Sequence, residues 1–383
     1  MTTSFLHSAI EETDRHFFYA LGRNAMYAAC EAFNIKEGDE ILTPAYDCDG
    51  SLQPFRVRGH VLKFYRINPY TFDIDIDDIN KKISLKTKLI HIINYFGFPQ
   101  PWDEILTLRS KMDIPILEDN AYSLFSSYQG KSLGNFGDIS IFSLRKNFPI
   151  MNGGLMRVNS LQYLSQVSIS QRVIYFKDWS NMFNSIFKNN FDFQSIQGFL
   201  KKAYIKSHRS SLEPPPLYSE EDKGYPVWSE RDVVAQDFKC HYMRAISPLS
   251  YRQFKKWVAL TNNIVLKKRS AYEYLVDSLK DISGIQILWP QLPLGVAPFC
   301  LSLLISSNRD HLFSILRKKY HVMAWPTLPG AVLNKLSEFN DVNLLGRKIL
   351  QLNLPSEHVI KPEFSVYLEN LMSDIRSLVE VGQ

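Results

Sequence analysis

Residues 114–154 decide the fold. Ile114-Pro115-Ile116-Leu117-Glu118-Asp119 is followed by a connection rich in glycine. Then come Asp138-Ile139-Ser140-Ile141-Phe142-Ser143-Leu144-Arg145-Lys146-Asn147 and the pair Gly153-Gly154. Both runs are strongly apolar and end on polar or charged residues. Strands buried on both faces belong to parallel sheets covered by helices. Each run therefore reads as an interior strand, Ile114 to Leu117 and Asp138 to Ser143, with Asp119 just past the end of one and Lys146 where the other breaks into a loop. Ligands in such sheets bind beyond the carboxyl ends of the strands, so these two groups stand where chemistry is expected.

Similar runs surround this pair. Glu40 to Ala45, Val61 to Ile67, Lys88 to Tyr95 and Leu155 to Val158 read as short strands. Between them, Ala25 to Phe33 carries apolar residues at helical spacing and ends near Gly38. Trp102 to Met112 reads as a second helix, with Pro101 at its start. Strand and helix alternate, which predicts an α/β fold with a mostly parallel central sheet flanked by helices. No internal repeat is visible. The pattern changes over residues 160–239: an aromatic-rich, helical-looking stretch precedes Pro214-Pro215-Pro216 and the acidic run Glu220-Glu221-Asp222. This segment reads as an insertion or crossover, or as a substrate or subunit-contact segment. From Ser250 a long basic helical stretch leads into strand-like Phe299 to Ile305, a helix over Arg309 to Lys319, an extended piece at Val322 to Trp325 and a terminal helix. The expected division is a large domain over residues 1–249, carrying the insertion, and a smaller C-terminal α/β domain over 250–383.

Bulk composition narrows the function classes. A chain of 383 residues with 45% apolar and 13% aromatic content can bury a large core. Lys and Arg number 44 against 39 Asp and Glu, a net charge of +5, too small an excess to argue for nucleic acid. Cys30, Cys48, Cys240 and Cys300 lie far apart, which points to neither a disulfide framework nor a metal site. Met1 to Phe17 lacks the apolar core of a secretory signal. The longest uncharged stretch, Pro290 to Asn308, holds three prolines, so no membrane span is expected. The expectation is a cytoplasmic protein.

The chemistry rests on three elements. A lysine at a strand end, a carboxylate at a neighbouring strand end and a turn suited to phosphate are the parts of a pyridoxal 5'-phosphate (PLP) site. The amine of Lys146 would meet the aldehyde, then act as base and acid. Asp119 would keep the pyridine nitrogen protonated, making the ring an electron sink. Gly22-Arg23-Asn24 leads into the first helix, where backbone amides bind phosphate and Arg23 can add a charge-assisted contact. Taken singly, each has an ordinary alternative: a solvated Lys-Arg pair, a turn or cap carboxylate, a plain helix start. No G-x-G-x-x-G follows a strand, and Gly130-Lys131-Ser132 lacks the preceding glycine of a phosphate loop, so Rossmann and ATPase readings fail.

The ordered set resembles the DegT/StrS-like sugar aminotransferases, PLP enzymes of fold type I. The landmarks are G-R-N-A-M (Gly22 to Met26), I-L-T-P-A-Y (Ile41 to Tyr46), N-Y-F-G (Asn94 to Gly97) and E-D-N-A-Y (Glu118 to Tyr122). G-K-S-L-G-N-F-G-D (Gly130 to Asp138), F-S-L-R-K-N (Phe142 to Asn147), Gly153-Gly154 and a late L-N-L-P (Leu352 to Pro355) complete them. The resemblance implies that Lys146 holds PLP and shuttles the proton, and that Asp119 pairs with the pyridinium. It places Tyr122 near the phenolic oxygen, Ser143, Arg23 and Asn24 at the phosphate, and Cys48 against the ring face. Several positions depart from the family pattern: Tyr122 replaces Gln or His, Cys48 an aromatic, Asn94 a His and Asn152 a Glu. The interval from Ser143 to Lys146 is also short. Relatives with histidine in place of the lysine perform dehydration, so the lysine favours amino transfer. The implied activity moves an amino group, with glutamate as expected donor, to a nucleotide-linked keto-sugar in surface-polysaccharide or secondary-metabolite biosynthesis. The implied assembly is a homodimer, with residues near Tyr242 to Ser247 reaching across. Two alternatives remain: a PLP enzyme acting on an amino acid or a non-nucleotide ketone, and a non-catalytic relative.

Overall fold

The computed structural model describes residues 14–167, 244–326 and 328–381, together with Leu6. Most of the expected insertion, including Pro214-Pro215-Pro216 and Glu220-Glu221-Asp222, lies outside the described residues, as does Tyr242. From residue 14 the described elements are β1 (His16–Tyr19), α1 (Gly22–Ala32), β2 (Glu40–Pro44), α2 (Asp49–Val57), β3 (Val61–Tyr65) and α3 (Ile76–Lys82). β4 (Thr87–Ile93), α4 (Trp102–Met112), β5 (Ile116–Asp119), a small hairpin of β6 (Ser127–Tyr128) and β7 (Lys131–Ser132), and β8 (Ile139–Ser143) follow. A single helical turn, α5 (Leu144–Asn147), then leads to β9 (Gly154–Val158).

These strands form one seven-stranded sheet in the order β1-β9-β8-β5-β4-β2-β3. β3, β2, β4, β5 and β8 run parallel, while β9 and β1 close one edge antiparallel. β2, β5 and β8 are buried along their whole length. Side chains alternate between faces as a strand's period of two requires. Ile41, Leu89, Leu117 and Ile139 join one core cluster, under α1. Leu42, Ile90, Ile92 and Ile116 join the other, with Trp102 of α4. Each fully buried Ile or Leu is worth roughly 1.5–3 kcal/mol over exposure, so two apolar faces fix both the register and the helical layers.

The second sheet is antiparallel, in the order β10-β11-β13-β12. It is reached through α6 (Pro248–Val258) and α7 (Thr261–Leu279), so the long helical stretch expected from Ser250 is two helices broken at Ala259-Leu260. β10 (Ile285–Ile287), β11 (Cys300–Ile305), α8 (Arg309–Leu316), β12 (Val322–Met323), α9 (Gly330–Leu333), α10 (Asn340–Lys348), β13 (Ile349–Asn353), α11 (Ser356–Val359) and α12 (Phe364–Val381) complete the described chain. The two sheets meet at Gly97, whose φ is +101° and where a Cβ would fall 2.3 Å from the carbonyl oxygen of Ala297. The amide of Phe299 donates to Phe96 O there, at 2.7 Å.

Most expected elements are present with small shifts at their ends. β5 starts at Ile116 because Pro115 has no N–H to give the ladder, although its carbonyl accepts from Ile90 N. β1 and α2 were not expected. α2 carries Pro54 inside it, and its Asp-Cys-Asp-Gly opening reads locally as a turn.

Candidate active site

β2, β5 and β8 release the chain at the same edge of the sheet, and their strand ends carry the chemistry. β5 and β8 are neighbours with Asp119 opposite Ile141, so the chain beyond β8 turns over the end of β5. There α5 carries Lys146, whose amine stands 3.8 Å from the centroid of the Tyr122 ring. Lys146 as a whole is exposed, yet protein atoms crowd its amine. Desolvation disfavours its ammonium form and holds its pKa below the usual lysine range. Asp119, Cys48 and Asp47 pull the other way, and Arg145 adds to the lowering. Lys146, Asp119, Cys48 and Tyr122 thus converge on one place.

Asp119 is 4% exposed. Its Oδ1 accepts from Ala121 N at 2.7 Å, and its Oδ2 faces His91 Nε2 at 3.5 Å. Glu118 next to it does a different job. Its Oε1 accepts from Gly134 N (2.6 Å) and Asn94 Nδ2 (3.2 Å). Its Oε2 accepts from Phe136 N (3.0 Å), Gly137 N (3.0 Å) and Ser140 Oγ (2.9 Å). The Gly130 to Asp138 loop is therefore wrapped around a buried carboxylate. Asn94 belongs to the same framework: its Oδ1 accepts from Gln100 N and Trp102 Nε1.

The other end of the site is cationic. α1 begins after Leu21, which offers no side-chain cap, so the amides of Gly22 and Arg23 are left for an acceptor, while Asn24 N donates to Leu21 O at 3.0 Å. A Cβ on Gly22 would lie 3.4 Å from Ser143 Cβ, which places the serine against the helix start. Ser143 is 4% exposed and its side chain caps nothing. Arg23 donates from Nη1 to Gln53 Oε1 at 3.1 Å. Asn24 is buried in the first turn. Burial and the Arg23 guanidinium together hold the pKa of Arg145 below the usual range. Among the described residues neither arginine has a carboxylate partner. Gly154 seals this corner: a Cβ there would fall 2.1 Å from Leu21 O.

Cys48 precedes α2 and is half-buried. Burial first, and Asp47 second, push its thiol pKa up. Tyr122 is 7% exposed, and its phenol is raised well above the usual range by burial. Its hydroxyl has no hydrogen-bond partner among the described residues. Trp325, from the chain after β12, packs edge-on against Tyr46, Phe96 and Tyr122 at 5.3–5.6 Å. Phe299 lies 4.7 Å from Tyr122. One wall of the site is therefore aromatic.

Sequence reasoning missed three residues: Asp47, His91 and Arg145. His91 had a signal, being a lone polar residue in the run Leu89-Ile90-His91-Ile92-Ile93, because a buried polar group needs a partner. Arg244 to Ile246 run beside β1: Ala20 N donates to Arg244 O at 2.8 Å and Ala245 bridges Tyr19. Among the described residues no helix is long and apolar enough to cross a membrane.

Comparison with known proteins agrees with the resemblance read from the motifs. Residues 19–200 match the family model of the DegT/DnrJ/EryC1/StrS aminotransferase family. GDP-perosamine synthase of Escherichia coli O157:H7 is 33% identical over 132 residues, which span 34% of this chain and 36% of that protein. The chain spans about a third of the length of the curated relatives it matches. Among solved structures, the aminotransferase TlmJ from Streptoalloteichus hindustanus superposes with a TM-score of 0.67 at 15% identity, covering 100% of this chain and 92% of that one. An E. coli GDP-4-keto-6-deoxy-D-mannose-3-dehydratase with bound hydrated PLP gives 0.60 at 18% identity, covering 94% and 87%. At such identities the likeness establishes the fold, which is that of fold type I PLP-dependent aminotransferases.

Proposed function

We propose that this protein is a PLP-dependent aminotransferase that moves an amino group, from glutamate as donor, to a keto-sugar carried on a nucleotide. The reading includes a cytoplasmic homodimer with a large domain over residues 1–249 and a small one over 250–383. The observation that carries it is the meeting, beyond the carboxyl ends of β5 and β8, of the Lys146 amine with Tyr122, Asp119 and Cys48. A lysine surrounded only by solvent has no such neighbours.

The residues present fit the cofactor. An amine, a carboxylate and a cationic pocket with an uncapped helix start match its aldehyde, ring nitrogen and phosphate. Ser143, the first amides of α1, Arg23 and Asn24 would hold the phosphate, and Arg145 adds a second guanidinium. Asp119 would pair with the ring nitrogen. When bound, PLP supplies an electron sink that lets a bond at the amino-bearing carbon break heterolytically.

The chain's own groups do the rest. Lys146 in its neutral form is the nucleophile and then the base at Nζ, and its lowered pKa raises the fraction able to act at neutral pH. Tyr122 stays a protonated phenol, so its hydroxyl acts as a donor. Cys48 stays a neutral thiol and does not compete as a thiolate for the aldehyde. The aromatic wall excludes water and offers apolar faces to a sugar ring.

The test is reductive trapping with borohydride of protein incubated with PLP, beside Lys146→Ala. A covalent chromophore on the native protein and none on the variant is the expected result. A trapped adduct of native size in Lys146→Ala would move the assignment to another lysine, and native protein that takes up no PLP would leave the non-catalytic alternative. Product assays with glutamate and either nucleotide-linked or free ketones distinguish the substrate classes.

A further inference from the structure

We infer that Asp47, His91 and Asp119 form a buried relay behind the site, in which His91 positions Asp119 and the protonation of Asp47 is felt through the imidazole. The inference rests on the function proposed above only for its consequence at the cofactor; the relay itself stands on the geometry of this chain.

His91 is fully buried at the middle of β4. Its Nδ1 lies 3.0 Å from Thr43 Oγ1 and 4.0 Å from Asp47 Oδ2, and its Nε2 lies 3.5 Å from Asp119 Oδ2. The imidazole thus sits between two carboxyl groups. Neither His91 Nε2 nor Asp47 Oδ2 has a hydrogen-bond partner within normal reach. Asp47 Oδ1 is held by Cys48 N and Ser51 Oγ, both at 2.6 Å, so Oδ2 is the atom that faces the imidazole. Buried polar atoms in native proteins are nearly always satisfied. Two orphaned atoms on adjacent members of one cluster mark groups whose contacts depend on their protonation. The trio is not a metal site: among the described residues no group of three His, Cys, Asp or Glu is arranged to hold an ion.

The two states differ by one proton on Asp47, exchanged with solvent. In one state Asp47 is a neutral carboxyl, Thr43 donates to Nδ1 and the neutral imidazole directs Nε2–H at Asp119. In the other, Asp47 has given up its proton and its carboxylate faces the imidazole across 4.0 Å. In both states Nε2–H faces Asp119 and keeps it an acceptor, as a partner for a protonated ring nitrogen must be. Burial supports the first state, since it raises the pKa of Asp47 to about 6, with His91 opposing and Asp119 reinforcing the rise. The titratable groups around Asp47 are His91 on β4, Asp119 on β5, Lys146 on α5, Cys48 beside it, Tyr65 on β3, and Tyr95 and Tyr122 on the loops after β4 and β5. The Phe55 ring, 5.5 Å from the imidazole, closes the remaining side.

The experiment follows the His91 ring nitrogens by 15N NMR against pH in the cofactor-free full chain, in native protein, Asp47→Asn and Thr43→Val. It then follows the visible absorbance of PLP-loaded protein over the same range. The native ring signals should show a transition where Asp47 titrates, and Asp47→Asn should abolish it. Thr43→Val should keep the transition but redistribute the imidazole tautomers. In loaded protein, Asp47→Asn should move the absorbance midpoint by about one pH unit. Ring signals indifferent to Asp47→Asn in protein that binds PLP would overturn the relay and leave the aminotransferase reading standing. Native protein that binds no PLP would overturn that reading, and the cofactor-free titration would still decide the relay.

Discussion

Glu118 and Asp119 are adjacent carboxylates with separable duties, and substituting each tests the division. In Glu118→Gln one acceptor oxygen becomes an amide donor facing donors. The less costly orientation puts that amide at Oε1, where it confronts Gly134 N and Asn94 Nδ2, because Oε2 carries three donors against two. Gly134 N is left without an acceptor while Asn94 Nδ2 keeps Asn120 Oδ1 at 2.8 Å, so one to two lost buried hydrogen bonds at roughly 1–3 kcal/mol each predict a loss of about 1–6 kcal/mol. A native domain holds only about 5–15 kcal/mol in all, so the variant should unfold at much lower denaturant or fail to fold. Asp119→Asn gives up one long contact to His91 while its Oδ1 still accepts from Ala121 N. It should keep the native unfolding midpoint and lose affinity for PLP. Urea unfolding followed by tryptophan fluorescence, with PLP titrations on each folded variant, makes the comparison. A Glu118→Gln protein as stable as native would refute the view that this carboxylate organises the Gly130 to Asp138 loop.

Two other outcomes follow from the site's electrostatics. Arg145→Gln should weaken PLP binding by about 10- to 150-fold, the equivalent of one charge-assisted hydrogen bond of roughly 1.5–3 kcal/mol. Binding of pyridoxal, which has no phosphate, should be unchanged, and equal losses for both ligands in equilibrium titrations would remove Arg145 from the phosphate pocket. Burial raises the Asp47 carboxyl from 3.8 to about 6, so between those values the folded chain holds a proton that the unfolded chain has released. Its contribution to stability is therefore full below about pH 4, is lost as pH rises through 6, and amounts to about 3 kcal/mol at 1.36 kcal/mol per pKa unit. Asp47→Asn should flatten that part of the stability profile and be more stable than native above pH 7; urea midpoints measured across pH would show an unchanged slope if the carboxyl is not raised.

Much of this protein was legible along the chain because the signals are local. Apolar runs such as Ile139 to Phe142 specify strands buried on both faces. The strand-end positions of Asp119 and Lys146 follow from where those runs stop, and Gly22 and the Gly153-Gly154 pair mark tight backbone approaches. α2 was hidden because Asp-Cys-Asp-Gly and Pro54 read as turn chemistry, while the burial of Leu52 and Phe55 that sustains the helix exists only after folding. Glu118 and Asp119 are indistinguishable as letters; the donors gathered around the first and the imidazole facing the second give them different work.

By itself the sequence determined the layered α/β architecture, the edge of the sheet where chemistry belongs and the lysine and aspartate that stand there. Only tertiary structure decided that Asp47 and His91 flank that aspartate and that Arg145 is pressed toward Arg23. The physical reason is range: periodicity and turn chemistry are set by neighbours along the chain. Desolvation and charge pairing depend on β2, β4, β5 and β8 lying side by side, across separations that no local pattern encodes.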